Sequence, residues 1–366
     1  MMTAFYARVV FAALLKQFTF SKGTRMLRPL FSFMVLVILM SACATSPTPQ
    51  APTPVAPEPT VEARNFNQSS AAVPEEAKIE KIPLGLILRE MNQKEAAALV
   101  LMNGLENIQV NITELEGLSS EQKLSTILSK YTLTQFKTKY YTFILDPKYQ
   151  ALNTLNLDNI IPKPFTKAKV NMALGADTPL FSALALLSHS TGLTLVADQA
   201  IGDALCGELS FSETPLPKAL EALLQSARVQ PSALSITGNK DYLLLHSVQH
   251  ELRKQSSRGT FSPSMQKELD EKCSISILFY TPSDNNIHSP LGASKLHTVL
   301  SELSIQLGIP IKAEGKVRYL PVNPMVLNKV TRRQTLDILT HQWMLPIFVY
   351  EEHDGGIVIR PAGYEK

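Results

Sequence analysis

"LFSALALLSHSTGLTLVAD" (Leu180–Asp198) and "LHTVLSELSIQLGIPIKAE" (Leu296–Glu314) are two passages of one pattern. Leu180, Ala183, Leu184 and Leu187 align with Leu296, Val299, Leu300 and Leu303. Both sets keep the i, i+3, i+4, i+7 rhythm of an amphipathic helix. Each helix closes on a glycine, Gly192 or Gly308, where a left-handed cap is expected. An apolar strand follows, at 193–197 and 309–313. Farther along, "LSFSETPLPKALEALL" (Leu209–Leu224) matches "MVLNKVTRRQTLDILT" (Met325–Thr340), with Leu220 and Leu223 against Leu336 and Leu339. The offset is 116 residues at both places. Each copy ends in a strand, Tyr242–Leu245 or Gly356–Ile359, and "HDGG" (His353–Gly356) between apolar runs reads as a hairpin turn.

A degenerate third copy precedes these. From Arg89 onward a helix is expected to end near Gly104, with Ile108, Val110 and Ile112 alternating as a strand. A second helix around Leu124, Ile127 and Leu128 follows, opened by a capping box of Ser119 and Gln122, and a strand at Tyr140–Leu145 closes the copy. The opening strands fall near Ile82–Leu88, Val170–Leu174 and Ser274–Tyr280. The predicted fold class is therefore α/β, of the α+β kind: tandem small strand-helix-strand-strand-helix-strand units at 78–147, 170–247 and 273–362. Polar connectors are expected at 148–169 and 248–272, the latter with a helix in "SMQKELDEK".

The N-terminal region is of another kind. Met26–Pro29 is a short basic start and Leu30–Met40 an apolar run, too short to span a bilayer but of the length of a secretory signal core. Residues 1–42 carry five basic residues and no acid, so the chain's 35 basic and 32 acidic residues become 30 against 32 beyond them, a net −2. The alkaline balance belongs to the leader, and no nucleic acid partner is implied. Residues 43–77 are proline-rich with almost no aromatics, the composition of an extended tether.

Two resemblances attach to these residues. Leu39-Met40-Ser41-Ala42-Cys43 resembles the lipobox of bacterial lipoproteins, which implies lipidation of Cys43 as the first mature residue. Ala44 stands where inner-membrane retention uses Asp, so that resemblance implies an outer-membrane protein facing the periplasm. The repeated pattern, best at 180–224, moderate at 296–340 and weak at 91–128, resembles the short N-terminal domain of secretins and TonB-dependent receptors. In that family the domain is a protein-interaction unit. The resemblance implies docking onto a secretin-type secretion or type IV pilus machine, with ring formation as one form of assembly. A pore-forming region of the secretin kind is not expected in this sequence, so docking is the part of the resemblance that carries over. The alternative is a ligand- or peptidoglycan-binding envelope lipoprotein.

Motifs for catalysis are missing, and no enzyme, cofactor or metal site is expected. The seven histidines form no H-E-x-x-H pair; His246 and His250 are read as solvated linker residues. Cys206 and Cys273 either bridge units two and three in an oxidising compartment or remain free, Cys206 then buried. Trp343 is expected in the core. "KVRYLPVNP" (Lys316–Pro324) presents Arg318 and Tyr319 as candidate partner-binding residues beside an edge open to strand addition.

Overall fold

A computed structural model describes residues 80–95, 98–250, 260–277, 294–344 and 348–362. The expected leader and tether, Cys43 among them, lie outside the described residues. The first segment runs β1 (Lys81–Pro83), α1 (Leu84–Glu95), β2 (Leu99–Leu101), β3 (Gln109–Asn111), α2 (Ser120–Lys130), β4 (Thr134–Lys137) and β5 (Thr142–Leu145). The second runs β6 (Lys169–Leu174), β7 (Thr178–Pro179), α3 (Leu180–Thr191), β8 (Thr194–Ala197), α4 (Gln199–Gly202), β9 (Leu205–Cys206), β10 (Leu209–Pro215), α5 (Leu216–Ser226), β11 (Leu234–Gly238) and β12 (Tyr242–Ser247). The third runs α6 (Pro263–Leu269), β13 (Lys272–Ile277), β14 (Ser294–Lys295), α7 (Leu296–Leu307), β15 (Ile311–Ala313), β16 (Pro321–Val322), β17 (Met325–Thr331), α8 (Arg332–Thr340), β18 (Phe348–His353) and β19 (Gly356–Pro361).

The fold is mixed α and β with small sheets, and its pairings recur. Three-stranded sheets have the orders β4-β5-β2, β11-β12-β8 and β18-β19-β15. In each, an antiparallel hairpin places its second strand parallel to the strand after the segment's first helix. Short antiparallel pairs β1–β3, β7–β9 and β14–β16 recur likewise. Long pairs β6–β10 and β13–β17 occur in the second and third segments. Strand β10 also meets β2, Leu209 opposite Val100, so the first segment's sheet continues into the second as five strands.

Local chemistry explains the elements. Leu84, Ile87, Leu88 and Met91 on α1, and the sets named above on α3 and α7, are all buried. Gly192 (φ +77°) and Gly308 (φ +67°) end α3 and α7 in the left-handed region, where a Cβ is strained. Capping boxes open α2 (Ser119 with Gln122) and α8 (Thr331 with Gln334). The hairpin joining β18 and β19 turns through Asp354 and Gly355, both at positive φ, as that turn demands.

Two further details repeat. Both long pairs carry a bulge in which two residues face one: Ser212 and Glu213 face Asn171, and Asn328 and Lys329 face Ser274. Glu213 and Lys329 both take positive φ. Their N–H groups donate to Asn171 Oδ1 (2.7 Å) and Ser274 Oγ (3.0 Å). Secondly, the ninth residue of each first helix clamps the strand that follows. Ser188 Oγ accepts from Leu195 N at 2.8 Å and lies 3.2 Å from Leu195 O. Ser304 does the same to Ile311, at 2.8 and 3.3 Å. In the first segment Asn92 holds Leu99 through Oδ1 (2.8 Å) and Nδ2 (3.1 Å).

Several expectations need correction. The opening strand expected at Ile82–Leu88 is strand only to Pro83; Leu84 onward is helix. That helix ends at Glu95, far before Gly104, and Leu99–Leu101 is a strand. The buried Leu99-Val100-Leu101 run serves a parallel strand, and Ala98 at φ +47° forbids a continuing helix. Residues 148–169, expected as a connector, are packed: Leu152, Leu157 and Ile161 belong to the core shared by the first two segments. The strand expected at Ser274–Tyr280 is described to Ile277. The second core fills the third segment and takes in Val196 and Leu244 from the back of β8 and β12.

Ser188→Ala and Asn92→Ala should each cost about 1–3 kcal/mol, since a buried N–H and C=O lose their partner together. Urea unfolding of each variant, with exposed Ser301→Ala as control, checks this; equal midpoints for all three would remove the clamp from the account.

Candidate functional site: a repeated junction and an open basic corner

The elements meet through one junction used twice. Asn103, just beyond β2, donates its N–H to Ser226 O at the end of α5 (2.8 Å). Gln199, just beyond β8, donates its N–H to Gln342 O beyond α8, also at 2.8 Å. The end residue's side chain takes a second bond each time: Gly207 N to Ser226 Oγ (2.9 Å), and Asn323 N to Gln342 Oε1 (3.1 Å). At the first junction Gly207 approaches so closely that a Cβ there would lie 2.3 Å from Leu101 O. Arg89 forks onto Glu208 (2.9 and 2.6 Å) beside it. Helix α5 turns polar residues into the same region: Glu221 accepts from Leu157 N, and Gln225 bonds Tyr141 Oη and Leu152 O. At the second junction the bulge aims Asn328 at the preceding segment, where it reaches Ser188 O (2.8 Å) and Thr194 Oγ1 (2.6 Å).

Beside this second junction lies a buried polar cluster. Asp198, with no exposed surface, accepts from Ile201 N (2.8 Å), Ser247 N (3.0 Å) and His250 Nδ1 (2.9 Å). His246 donates from Nδ1 to Ser247 O at 3.1 Å, which leaves Nε2 as a buried acceptor without a partner. The two imidazoles meet edge to face at 6.0 Å. The reading of both as solvated is thus overturned: they are 5 % and 6 % exposed, because the end of β12 is covered. Among the described residues no group of three or more His, Cys, Asp or Glu could hold a metal ion, and no helix is long and apolar enough to cross a membrane.

The residues expected to bind a partner lie on the third segment's outer corner. A 3₁₀ turn, Gly315–Tyr319, follows β15 and is held by buried Val317. Arg318 stacks on the Tyr319 ring at 5.1 Å, and His297 of α7 meets that ring edge-on at 5.8 Å. His297 Nδ1 donates to Arg318 O at 2.9 Å, fixing the turn to the helix. Tyr319 is 57 % exposed. Trp343 is buried against Phe348 and donates from Nε1 to Pro321 O at 2.8 Å, a core residue two positions from Tyr319.

The two cysteines are not brought together. Both are free: Cys206 is enclosed in the core of the first two segments, while Cys273 lies against Val330 O and Thr335 Oγ1 in the third. Burial pushes the Cys206 thiol up to about 12 and raises that of Cys273 as well. Comparison with protein-family models, with curated proteins and with solved structures finds no match for this chain.

Two outcomes follow from burial. In a Cys43→Ala background, a maleimide should label Cys273 slowly and Cys206 only after unfolding, read by peptide mass; rapid native labelling of Cys206 would contradict the packing. Desolvation holds His246 below the ordinary imidazole value of 6.5. The unfolded chain therefore takes up the proton first, so this contribution is present above that value and is lost as pH falls below it. Between about pH 7.5 and about pH 5 the urea midpoint should fall, and His246→Asn should flatten the fall; parallel curves would refute the assignment.

Proposed function

We propose that this chain is an outer-membrane lipoprotein, held through lipidated Cys43 and the proline-rich tether, that works as a periplasmic docking component of a secretin-type secretion or type IV pilus machine. The observation that carries this reading is the junction used twice: the chain is made of small α/β segments whose faces associate through matched main-chain groups. The pattern's likeness to the short N-terminal domains of secretins and TonB-dependent receptors supports the same reading, as does the exposed Arg318–Tyr319 corner. Partners are the secretin or neighbouring machine proteins, and a ring of copies is one form the assembly takes. A groove of about 390 Å³ between Leu86, Met91, Ile112 and Leu115 favours the second reading, a lipoprotein that holds a ligand or a peptidoglycan fragment.

Crosslinking in intact cells, then mild detergent extraction, should recover a high-mass secretin-type complex with the wild-type chain. Cys43→Ala should leave the membrane fraction. A free monomer without a high-mass partner, or retention on purified cell wall alone, would replace the docking reading with the second one.

A further inference from the structure

The junction has a third place in the chain, and there, among the described residues, its donor meets no carbonyl. Met102, Asp198 and Glu314 each donate a backbone N–H to the sheet's central strand, at Ile144 O, Leu245 O and Ile359 O. The next residue is the junction donor: Asn103, Gln199 and Gly315. The first two reach a helix-end carbonyl of the following segment; among the described residues Gly315 N–H reaches none. Around it the residues change in one direction at the 116-residue offset. Val196, buried under the third segment, becomes exposed Lys312. Ala200 becomes Lys316, Gly202 becomes Arg318 and Asp203, which accepts from Asn323 Nδ2, becomes Tyr319. Lys312, Lys316 and Arg318 are exposed and form no ion pair with the described residues.

Resting on the docking reading above, we propose that this corner of the third segment is the partner site, and that its occupant is an acidic segment of a different protein. The junction itself argues for a protein that brings oxygen acceptors, because both internal copies present a carbonyl to the same donor. The charge change argues for carboxylates, since three cations replace Val196, Ala200 and Gly202 while the carboxylate of Asp203 gives way to Tyr319. It also argues against another copy of this chain in the same mode: the segments that fill the two internal junctions present apolar strands, which would bury Lys312 unpaired. Tyr319, rigidified by Arg318 and His297, supplies an aromatic contact at the centre.

The test uses the mature chain and a short glutamate-rich peptide, with its lysine counterpart as control. Trp343, the single tryptophan, is bonded to Pro321 O and reads the corner by fluorescence. The glutamate peptide should bind, and weaken as salt rises from about 0.05 to about 0.5 M. Arg318→Ala and Tyr319→Ala should each weaken it by about tenfold or more, and exposed Lys240→Ala should leave it unchanged. No binding, equal binding by the variants, or a response to anionic phosphatidylglycerol vesicles with none to the peptide would overturn the proposal. Crosslinking in cells separates the two levels. A partner complex recovered equally by wild type and by the Arg318→Ala/Tyr319→Ala double variant places docking elsewhere on the chain. Loss of that complex in the double variant supports the corner, and no complex with either removes the docking reading itself.

Discussion

An edge strand with free N–H and C=O groups pairs with whatever arrives first. In this protein the first outward residue of each such strand, Leu99, Leu195 or Ile311, is closed by a side chain from the preceding helix, seven residues earlier. One hydroxyl or amide serves donor and acceptor together. It also ties the helix to the strand at one register, because Asn92, Ser188 and Ser304 each accept from the strand N–H seven residues on. With the strand's start sealed, pairing is left to its far end, and the junctions form there. At Leu101 the neighbour takes both groups: Glu208 O accepts from the N–H and Ser226 Oγ donates to the carbonyl.

The two junctions share their geometry but differ in what surrounds it. Between the first and second segments the contact is a main-chain ladder over a common apolar core, and the packed stretch holding Leu152, Leu157 and Ile161 thickens it. Between the second and third, side chains do more: Asn328 crosses from the bulge and Asn323 Nδ2 donates to Asp203, while beside them, within the second segment, Asp198 gathers the turn of α4, Ser247 and His250. A buried carboxylate with three donors is well satisfied. His246 Nε2 is not, and an unpaired buried acceptor costs free energy that the surrounding packing must offset. The imidazole whose proton affinity burial lowers therefore stands beside the second junction.

This arrangement bears on recognition. A segment buries one face against its successor, and the nature of that face decides what can follow it. Apolar Val196 and Leu244 accept another packed strand, whereas Lys312, Lys316 and Arg318 resist burial by apolar groups and favour a charged neighbour. Changing the lining while keeping the backbone is an economical way to turn a structural contact into a selective one.

Much of the architecture was legible in the sequence. The 116-residue offset, the rhythm of α3 and α7, their glycine caps, the capping box at Ser119 and the turn at Asp354–Gly355 are local signals, each set by neighbours within a few residues. The first segment departs from its sequence pattern by one element because the composition from Ala96 to Leu101 prolongs a helical one, and only the pairing of β2 with β5 and β10 makes Leu99–Leu101 a strand. The burial of His246 and His250, the packing of residues 148–169 and the separation of Cys206 from Cys273 were not legible. Periodicity states which side of an element is apolar. It cannot state which side meets which, because that choice rests on single hydrogen bonds such as Asn103 to Ser226 and Gln199 to Gln342, made between main-chain groups more than a hundred residues apart.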